Sequence, residues 1–198
     1  MRPAKKIFGT IQRDNMAMLL ILGLCPALAI TTSMKNAFAM GVATIFVVTL
    51  SNFTISIFRK KISYNTKLFA FFAVTAAYTS VADLILQAFF PEFSKALGIY
   101  VPLIAVNGLI LQRAEHFALK NSGISSLLDG LYVGLLFTIA LMIAGAIREL
   151  LGNGSILDHY LIDDTGKTLL FIILPPGAFI TLGFLIAAMQ KSYSKIKK

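Results

Sequence analysis

Long apolar runs separated by short, basic segments make up almost the whole chain. A helix that crosses the hydrocarbon core of a bilayer needs about 20 predominantly apolar residues, so runs of this length predict transmembrane helices. The pattern predicts six spans, at about residues 16–34, 37–58, 67–90, 98–112, 127–148 and 168–190. The sequence therefore predicts an all-α integral membrane protein in which residues 1–198 form a single membrane domain.

The polar segments between the runs predict the orientation of these spans. Most of the 18 Lys and Arg residues fall in the N-terminal arm, the second loop, the fourth loop and the tail, which six crossings place on one side. The acidic residues Asp158, Asp163 and Asp164 fall on the other side. Loops rich in Lys and Arg stay in the cytoplasm, so we expect both termini to be cytoplasmic.

Composition supports a membrane protein rather than a nucleic-acid-binding one. Of the 198 residues, 57% are hydrophobic and 14% are charged, whereas about a quarter of the residues in a soluble domain are charged. The net charge of +9 would suit nucleic acid, but the basic residues sit in short clusters between apolar runs and form no single soluble face. We therefore expect membrane lipid, and no nucleic acid, around this chain.

The first and fourth spans are interrupted, whereas the other four are smooth. The first contains Cys25-Pro26, and the short fourth span contains Pro102 and Asn107-Gly108. Proline removes a backbone N–H and disrupts a helix, and glycine weakens a helix and permits close backbone approach. Unpaired backbone at membrane depth survives only where protein or a polar cavity covers it, so we expect the two breaks to be buried together. Each break alone is also typical of a simple kink.

The positions of the two breaks predict an internal repeat. Each interrupted span opens a set of three, and an odd number of spans makes the second set enter the membrane from the opposite side. The sequence thus predicts an inverted repeat, with halves at about residues 14–95 and 96–191. Matching interrupted helices in two such halves indicate a functional centre near the midplane of the bilayer.

Cys25 is the single cysteine, which excludes a disulfide within the chain. It suits two roles, a small buried apolar residue or a thiolate ligand of a metal. Because an iron–sulfur cluster takes four thiolates, a cluster bound by Cys25 has to be shared with another subunit. No nucleotide-binding loop, zinc-protease motif or catalytic triad accompanies it.

Two acidic residues are further candidates for a functional role. Asp83 lies inside the third span, where an ionisable group binds a proton or sodium ion, or stabilises a helix contact. Glu115 follows the fourth span in QRAEHFALK, and its spacing from Arg113 does not place the two on one helical face. We expect an interface or loop-anchoring role for Glu115, and an interfacial position for His116.

Several strings along nearly the whole chain resemble one known family. They are LGLCPALAITTSMKNAFAMG, LSNFTISIFRK, LGIYVPLIAVNGLILQRAEHFALKN, LDGLYVGLLFT, RELLGNGSI and LPPGAFITLG. In this order they resemble the E-type membrane component of the Rnf ferredoxin:NAD oxidoreductase complex, which is related to the D-type component of the sodium-pumping NADH:quinone reductase.

This resemblance implies a bacterial cytoplasmic-membrane component of a redox-driven translocase for Na⁺ or H⁺. It implies two inverted triplets of helices and a homologous A-type sister subunit inserted in the opposite orientation. The two sisters would share a [2Fe-2S] cluster held by two cysteines from each, through which electrons cross the membrane. B, C, D and G type subunits would carry other iron–sulfur clusters and flavins, with no flavin on this chain.

The chain departs from the family pattern at one cluster ligand. Cys25 matches the first family cysteine, but Gly108 occupies the place of the second, after Asn107 in PLIAVNG. Three interpretations stay open: three thiolates plus another group hold the cluster, the cluster is lost, or the glycine was introduced. The Asn107 amide oxygen is a poor ligand for iron in such centres.

Two other functions stay open beside electron transfer. A small solute transporter would bind its substrate between interrupted helices, and would use Asp83 while leaving Cys25 idle. A structural assembly subunit would only position its neighbours, and Gly108 favours this alternative. The sequence leaves open the coupling ion, the direction of electron flow, and whether NAD or quinone is the partner.

Overall fold

The computed structural model describes residues 23, 28–59, 61–62, 66–156, 159–160, 170–172 and 174–196. Its elements are almost all helical. They are α1 (Met34–Phe58), α2 (Lys67–Phe89), α3 (Pro91–Leu97), 3₁₀ turns Gly98–Tyr100 and Pro102–Val106, α4 (Gly108–Arg113), a π-helical turn Ala114–Ala118, α5 (Gly123–Asn153), β1 (Ser155–Ile156), β2 (His159–Tyr160), a 3₁₀ turn Leu170–Ile172 and α6 (Pro175–Ile196). The two short strands pair antiparallel.

Three of the helices, α1, α2 and α5, are each long and apolar enough to cross a membrane. The segments Pro91–Tyr100 and Pro102–Ala118 would make a fourth span if taken together, and α6 has a shorter apolar stretch at Pro175–Ala188. The predicted spans at 37–58, 67–90 and 127–148 are therefore confirmed as helices of spanning length. The short helix α3, which carries Glu92 and Lys95, precedes the fourth predicted span.

Part of the prediction lies outside the described residues. The first predicted span, 16–34, includes Cys25 and Pro26, of which the structure gives no description. Its described end is a single helical turn at 28–30 and a non-helical turn at 31–33 before α1 begins. The count of six spans, the inverted repeat and the midplane position of the breaks therefore stay predictions.

The centre of the fold is an antiparallel pair formed by α1 and α5. Glycines of α5 allow the two backbones to approach closely: an added Cβ at Gly130 would lie 2.8 Å from the Thr49 Cα, and one at Gly134 would lie 2.9 Å from the Ile45 Cα. Small residues at such positions are how membrane helices pack without a hydrophobic driving force between them. Apolar side chains fill the rest of the interface, including Val47, Val48, Phe137 and Leu141.

Helix α2 packs on α1 and on the 3₁₀ turn Pro102–Val106 along one narrow stripe. Its buried residues are Phe71, Thr75, Thr79 and Ala82, while most of its other side chains are apolar and exposed. A hydrogen bond of 2.7 Å between the Thr54 and Tyr78 hydroxyls ties it to α1. The exposed apolar side chains of α2 suit contact with lipid or with another membrane subunit.

The ends of the last two helices follow from their sequence. Helix α5 ends at Asn153, and Gly154 caps it with a φ of 66°, a left-handed conformation that glycine adopts at little cost. Helix α6 begins at Pro175, because a proline in the first turn loses no helical hydrogen bond.

Candidate functional site

The strongest local irregularity among the described residues is the interruption of the fourth predicted span. The helical segments on the two sides of Val101 meet at an angle of 42°. Pro102 begins a 3₁₀ turn after the bend, and Asn107, with a ψ of 122°, is extended. The helical hydrogen-bond ladder is therefore interrupted twice, once at the proline and again at the asparagine.

Asn107 starts the second half of the span as a helix cap. Its side-chain Oδ1 accepts a hydrogen bond of 3.1 Å from the backbone N–H of Leu109, and its carbonyl accepts one from the N–H of Ile110. Asparagine is favoured at this position because its oxygen satisfies a backbone donor that the helix leaves free. The Asn107 Nδ2 is buried and has no hydrogen-bond partner among the described residues.

The cap leaves the Ala105 carbonyl outside the helical ladder, since Leu109, four residues later, donates to Asn107 instead. The hydroxyl of Thr75, on α2, lies 3.1 Å from this carbonyl oxygen and 2.8 Å from the Phe71 carbonyl of its own helix. A polar side chain of a neighbouring helix thus covers the exposed backbone. This is the condition under which unwound backbone is tolerated inside a membrane.

Gly108 is the first residue of α4 and is partly buried. It has no side chain that could ligate a metal, and the oxygen of Asn107 is already used by Leu109. The described residues of this break therefore do not fit as ligands of an iron–sulfur cluster. Within the described part of the chain, no group of three or more His, Cys, Asp or Glu residues comes together. Cys25 and Pro26 lie outside the described residues.

Asp83 lies away from the interruption of the fourth predicted span. It lies on α2, two helical turns or about 12 Å beyond Thr75, and is partly exposed. Its Oδ2 accepts a hydrogen bond of 2.8 Å from the Gln87 Nε2, one turn further along the same helix. The structure thus gives Asp83 a local helical partner.

Glu115 lies in the π-helical turn and bonds a residue of another helix. It accepts a hydrogen bond from the Nζ of Lys67, the first residue of α2. His116 is exposed, and its Nδ1 lies 3.2 Å from the Gln112 carbonyl oxygen. Glu115 therefore connects the π-helical turn to the start of α2, and its loop-anchoring role stays a prediction.

A buried ion pair that sequence reasoning missed joins the fourth span to α5. The Arg113 guanidinium donates to both carboxylate oxygens of Asp129, at 2.5 and 3.1 Å. Their side chains are only 1% and 0% exposed, and the Arg113 guanidinium also lies 5.8 Å from the Phe117 ring centre. The available signal was the acid in LDGLYVG, near the start of an apolar run, because charges in such runs are rare and paired.

A second buried charge, Arg148, holds the segment that follows Cys25-Pro26. It donates to the Leu28 carbonyl at 3.1 Å and to the Thr31 hydroxyl at 2.6 Å. Its neighbour Glu149 accepts a bond of 2.7 Å from the backbone N–H of Met34, at the start of α1. Both residues are almost fully buried, and together they fix the segment before α1 against the C-terminal part of α5.

Comparison with known proteins relates this chain to membrane subunits of redox complexes. A family model described as "Rnf-Nqr subunit, membrane protein" matches residues 4–186. The E-type component of the Na(+)-translocating ferredoxin:NAD(+) oxidoreductase complex of Acetobacterium woodii is 46% identical over 186 residues, which cover 94% of this chain and 95% of that protein.

Two further relatives show the range of this similarity. The E-type component of the proton-translocating ferredoxin:NAD(+) oxidoreductase complex of Clostridium ljungdahlii is 40% identical, over 89% of this chain and 83% of its own length. The E-type component of the ion-translocating oxidoreductase complex of Methanosarcina acetivorans is 38% identical, over 96% of this chain and 91% of its own length. The resemblance seen in the sequence motifs is thereby confirmed, and the chain belongs to the Rnf-Nqr family of membrane subunits.

Proposed function

We propose that this chain is a membrane subunit of an ion-translocating ferredoxin:NAD⁺ oxidoreductase complex. The observation that carries the proposal is the 46% identity to the E-type component of such a complex along nearly the full length of both proteins. The spanning helices and the interrupted fourth span agree with this function. No nucleotide or flavin site is assigned to the chain, so it would act as part of a multisubunit translocase.

Within the complex, Cys25 would provide one ligand of a [2Fe-2S] cluster shared with a homologous A-type sister subunit. The motif LGLCPALA, which matches the family at its first cysteine, supports this assignment. Position 108 contributes no side-chain ligand, so the remaining ligands would come from the sister subunit and from one other group. The B, C, D and G type subunits would supply the other electron carriers.

The membrane topology is proposed on the same basis. Six spans in two inverted triplets would place both termini on the cytoplasmic side of a bacterial inner membrane. The distribution of Lys and Arg supports that orientation. Thr75 covers the Ala105 carbonyl at the interruption of the fourth predicted span, and Arg148 contacts Leu28, which follows Cys25-Pro26 in the sequence. Polar contacts at these places support the proposed arrangement.

Iron and labile-sulfide analysis of the purified complex tests the cluster assignment. Cys25→Ser is expected to remove about two iron and two sulfide per complex, since it deletes the only thiol of this chain. Gly108→Cys is expected to raise cluster occupancy, because it restores the family's second thiolate. Val106→Cys, which adds a thiol to the preceding turn, is the matched control and should change nothing.

The two alternatives give different results in this experiment. An assembled complex with unchanged iron in Cys25→Ser would contradict the electron-transfer role. If that complex still transferred electrons, the chain would be an assembly subunit. If vesicles holding the chain alone moved a solute, it would be a transporter.

A further inference from the structure

A basic cleft of about 490 Å³ lies where the end of α1, the start of α2 and the π-helical turn come together. Among the described residues, three cations and one acid line it, together with His116 and apolar side chains. The charged residues are Arg59, Lys67, Lys120 and Glu115. This described lining has two more formal positive than negative charges.

The cations of this cleft differ in whether they already have hydrogen-bond or ion-pair partners within the protein. Lys67 is paired with Glu115, and the Arg59 guanidinium gives one of its five N–H donors to the Asn121 carbonyl oxygen, at 2.6 Å. Lys120 is exposed and makes no side-chain hydrogen bond to the residues that the structure describes. Arg59 is thus fixed in place with donors left over, and Lys120 supplies a charge that is free to bind.

The surroundings of the cleft combine charge with exposed hydrocarbon. The cleft lies at the end of two spanning helices, and its own wall includes the apolar side chains of Ile62 and Leu119. Directly after Lys67, α2 exposes 49% of Leu68 and 77% of Phe69. An anion that binds here with apolar chains attached would bury those chains along α2, whereas a free anion would leave that surface uncovered.

We propose that this cleft binds the phosphate headgroup of an anionic phospholipid, with Arg59 and Lys120 contacting the phosphate oxygens and the acyl chains lying on the exposed face of α2. Guanidinium and ammonium groups are the donors that recognise phosphate. Basic pockets at the ends of membrane helices suit such headgroups for the same reason. Glu115 opposes binding, because it neutralises Lys67 and faces the same space.

The test measures how much phosphatidylglycerol the purified complex binds in nanodiscs of phosphatidylcholine doped with a small fraction of phosphatidylglycerol. Lys120→Gln is expected to lower this affinity about fivefold, the worth of one cation near an anionic surface. Glu115→Gln is expected to raise it, since the variant removes the negative charge that lines the cleft. Lys61→Gln is the matched control, because Lys61 is exposed on the loop between α1 and α2, two residues after Arg59, and does not line the cleft.

Opposite changes in Lys120→Gln and Glu115→Gln, with Lys61→Gln unchanged, would support the site. Equal losses in Lys120→Gln and Lys61→Gln would overturn it, since general attraction to the membrane surface would then explain the binding. Displacement of the lipid by millimolar inorganic phosphate would also overturn it, because the cleft would then be a site for a free anion. Loss of the cluster in Cys25→Ser has no bearing on this result, so the two proposals fail separately.

Discussion

The charged side chains buried among apolar helices are the residues of this protein whose burial costs the most free energy. Arg113 and Asp129 are both almost fully buried, and each would be costly alone in surroundings of low dielectric constant. Their bidentate geometry satisfies both carboxylate oxygens and links the fourth span to α5. Such a pair fixes which helix faces meet, although it contributes little net stability.

Removal of one partner of the Arg113–Asp129 ion pair should lower the free energy of unfolding far more than removal of both partners. Asp129→Leu leaves the Arg113 guanidinium buried without its carboxylate, which we expect to cost about 3–5 kcal/mol. The double variant Arg113→Met, Asp129→Leu should recover most of that loss, because no buried charge remains. Thermal aggregation of the detergent-solubilised complex, followed by size-exclusion chromatography, measures the difference. Equal losses in the single and double variants would show that the ion pair is not the cause.

At the residue scale, one reason explains why the sequence predicted the burial of charged side chains only in part. Asp83 stood out because it lies inside an apolar run, yet the structure places it on a partly exposed helix face beside Gln87. Asp129 lies near the start of its apolar run and was not predicted to be a candidate, yet it is fully buried. Depth in a span follows from sequence position, whereas the direction that a side chain faces depends on its neighbours, which one sequence does not reveal.

At the scale of elements, the close contact between α1 and α5 depends on glycine. Gly130 faces the backbone of α1, with the Val48 carbonyl oxygen and the Thr49 Cα as the nearest atoms to an added Cβ. A backbone cannot rotate away as a flexible side chain can. The interhelical distance is therefore set by the absence of a side chain at this position.

Gly130→Ala should push the two helices apart and cost about 1–3 kcal/mol, the usual range for overpacking. Gly183→Ala is the control, since an added Cβ at Gly183 meets nothing within 4 Å. That control is expected to be neutral or slightly stabilising, because alanine favours the helix over glycine. Thermal unfolding midpoints of the two variants in the same detergent provide the comparison. A larger loss in the control would contradict the packing argument.

Helix positions were well predicted from apolar runs, because burial in lipid demands a continuous stretch of about 20 apolar residues. The structure extends the predicted span at 127–148 by one turn at each end, to Gly123–Asn153. The bend of the fourth span was foreseen from Pro102, Asn107 and Gly108, whereas the contact of its backbone with Thr75 was not. A proline predicts where a helix is interrupted, but not which neighbour covers the exposed carbonyl.

At the scale of the whole molecule, the predicted orientation can be tested on α2. This helix has 23 residues and is therefore about 34 Å long, enough to cross the hydrocarbon core. Exposed lysines lie beyond its two ends, Lys61 before it and Lys95 after it. The positive-inside rule places Lys61 in the cytoplasm and Lys95 on the opposite side.

Single cysteines introduced by Lys61→Cys and Lys95→Cys, in a chain that carries Cys25→Ser, should report opposite sides. A membrane-impermeant maleimide added to intact cells with a permeable outer envelope should label Lys95→Cys alone. In inside-out vesicles it should label Lys61→Cys alone. Labelling of both positions from one side would show that α2 does not cross the membrane, and reversed labelling would overturn the assigned orientation.

The dependence of α1 on α5 has a consequence for the order in which the protein is made. About 65 residues separate the end of α1 from the start of α5, so at typical translation rates α1 enters the membrane roughly 3–13 s before its partner exists. During that interval the side of α1 at Ile45 and Thr49, which the glycines of α5 cover in the final fold, has no partner helix. We therefore expect an insertion factor near the ribosome to shield this side of α1 from lipid until α5 has been translated.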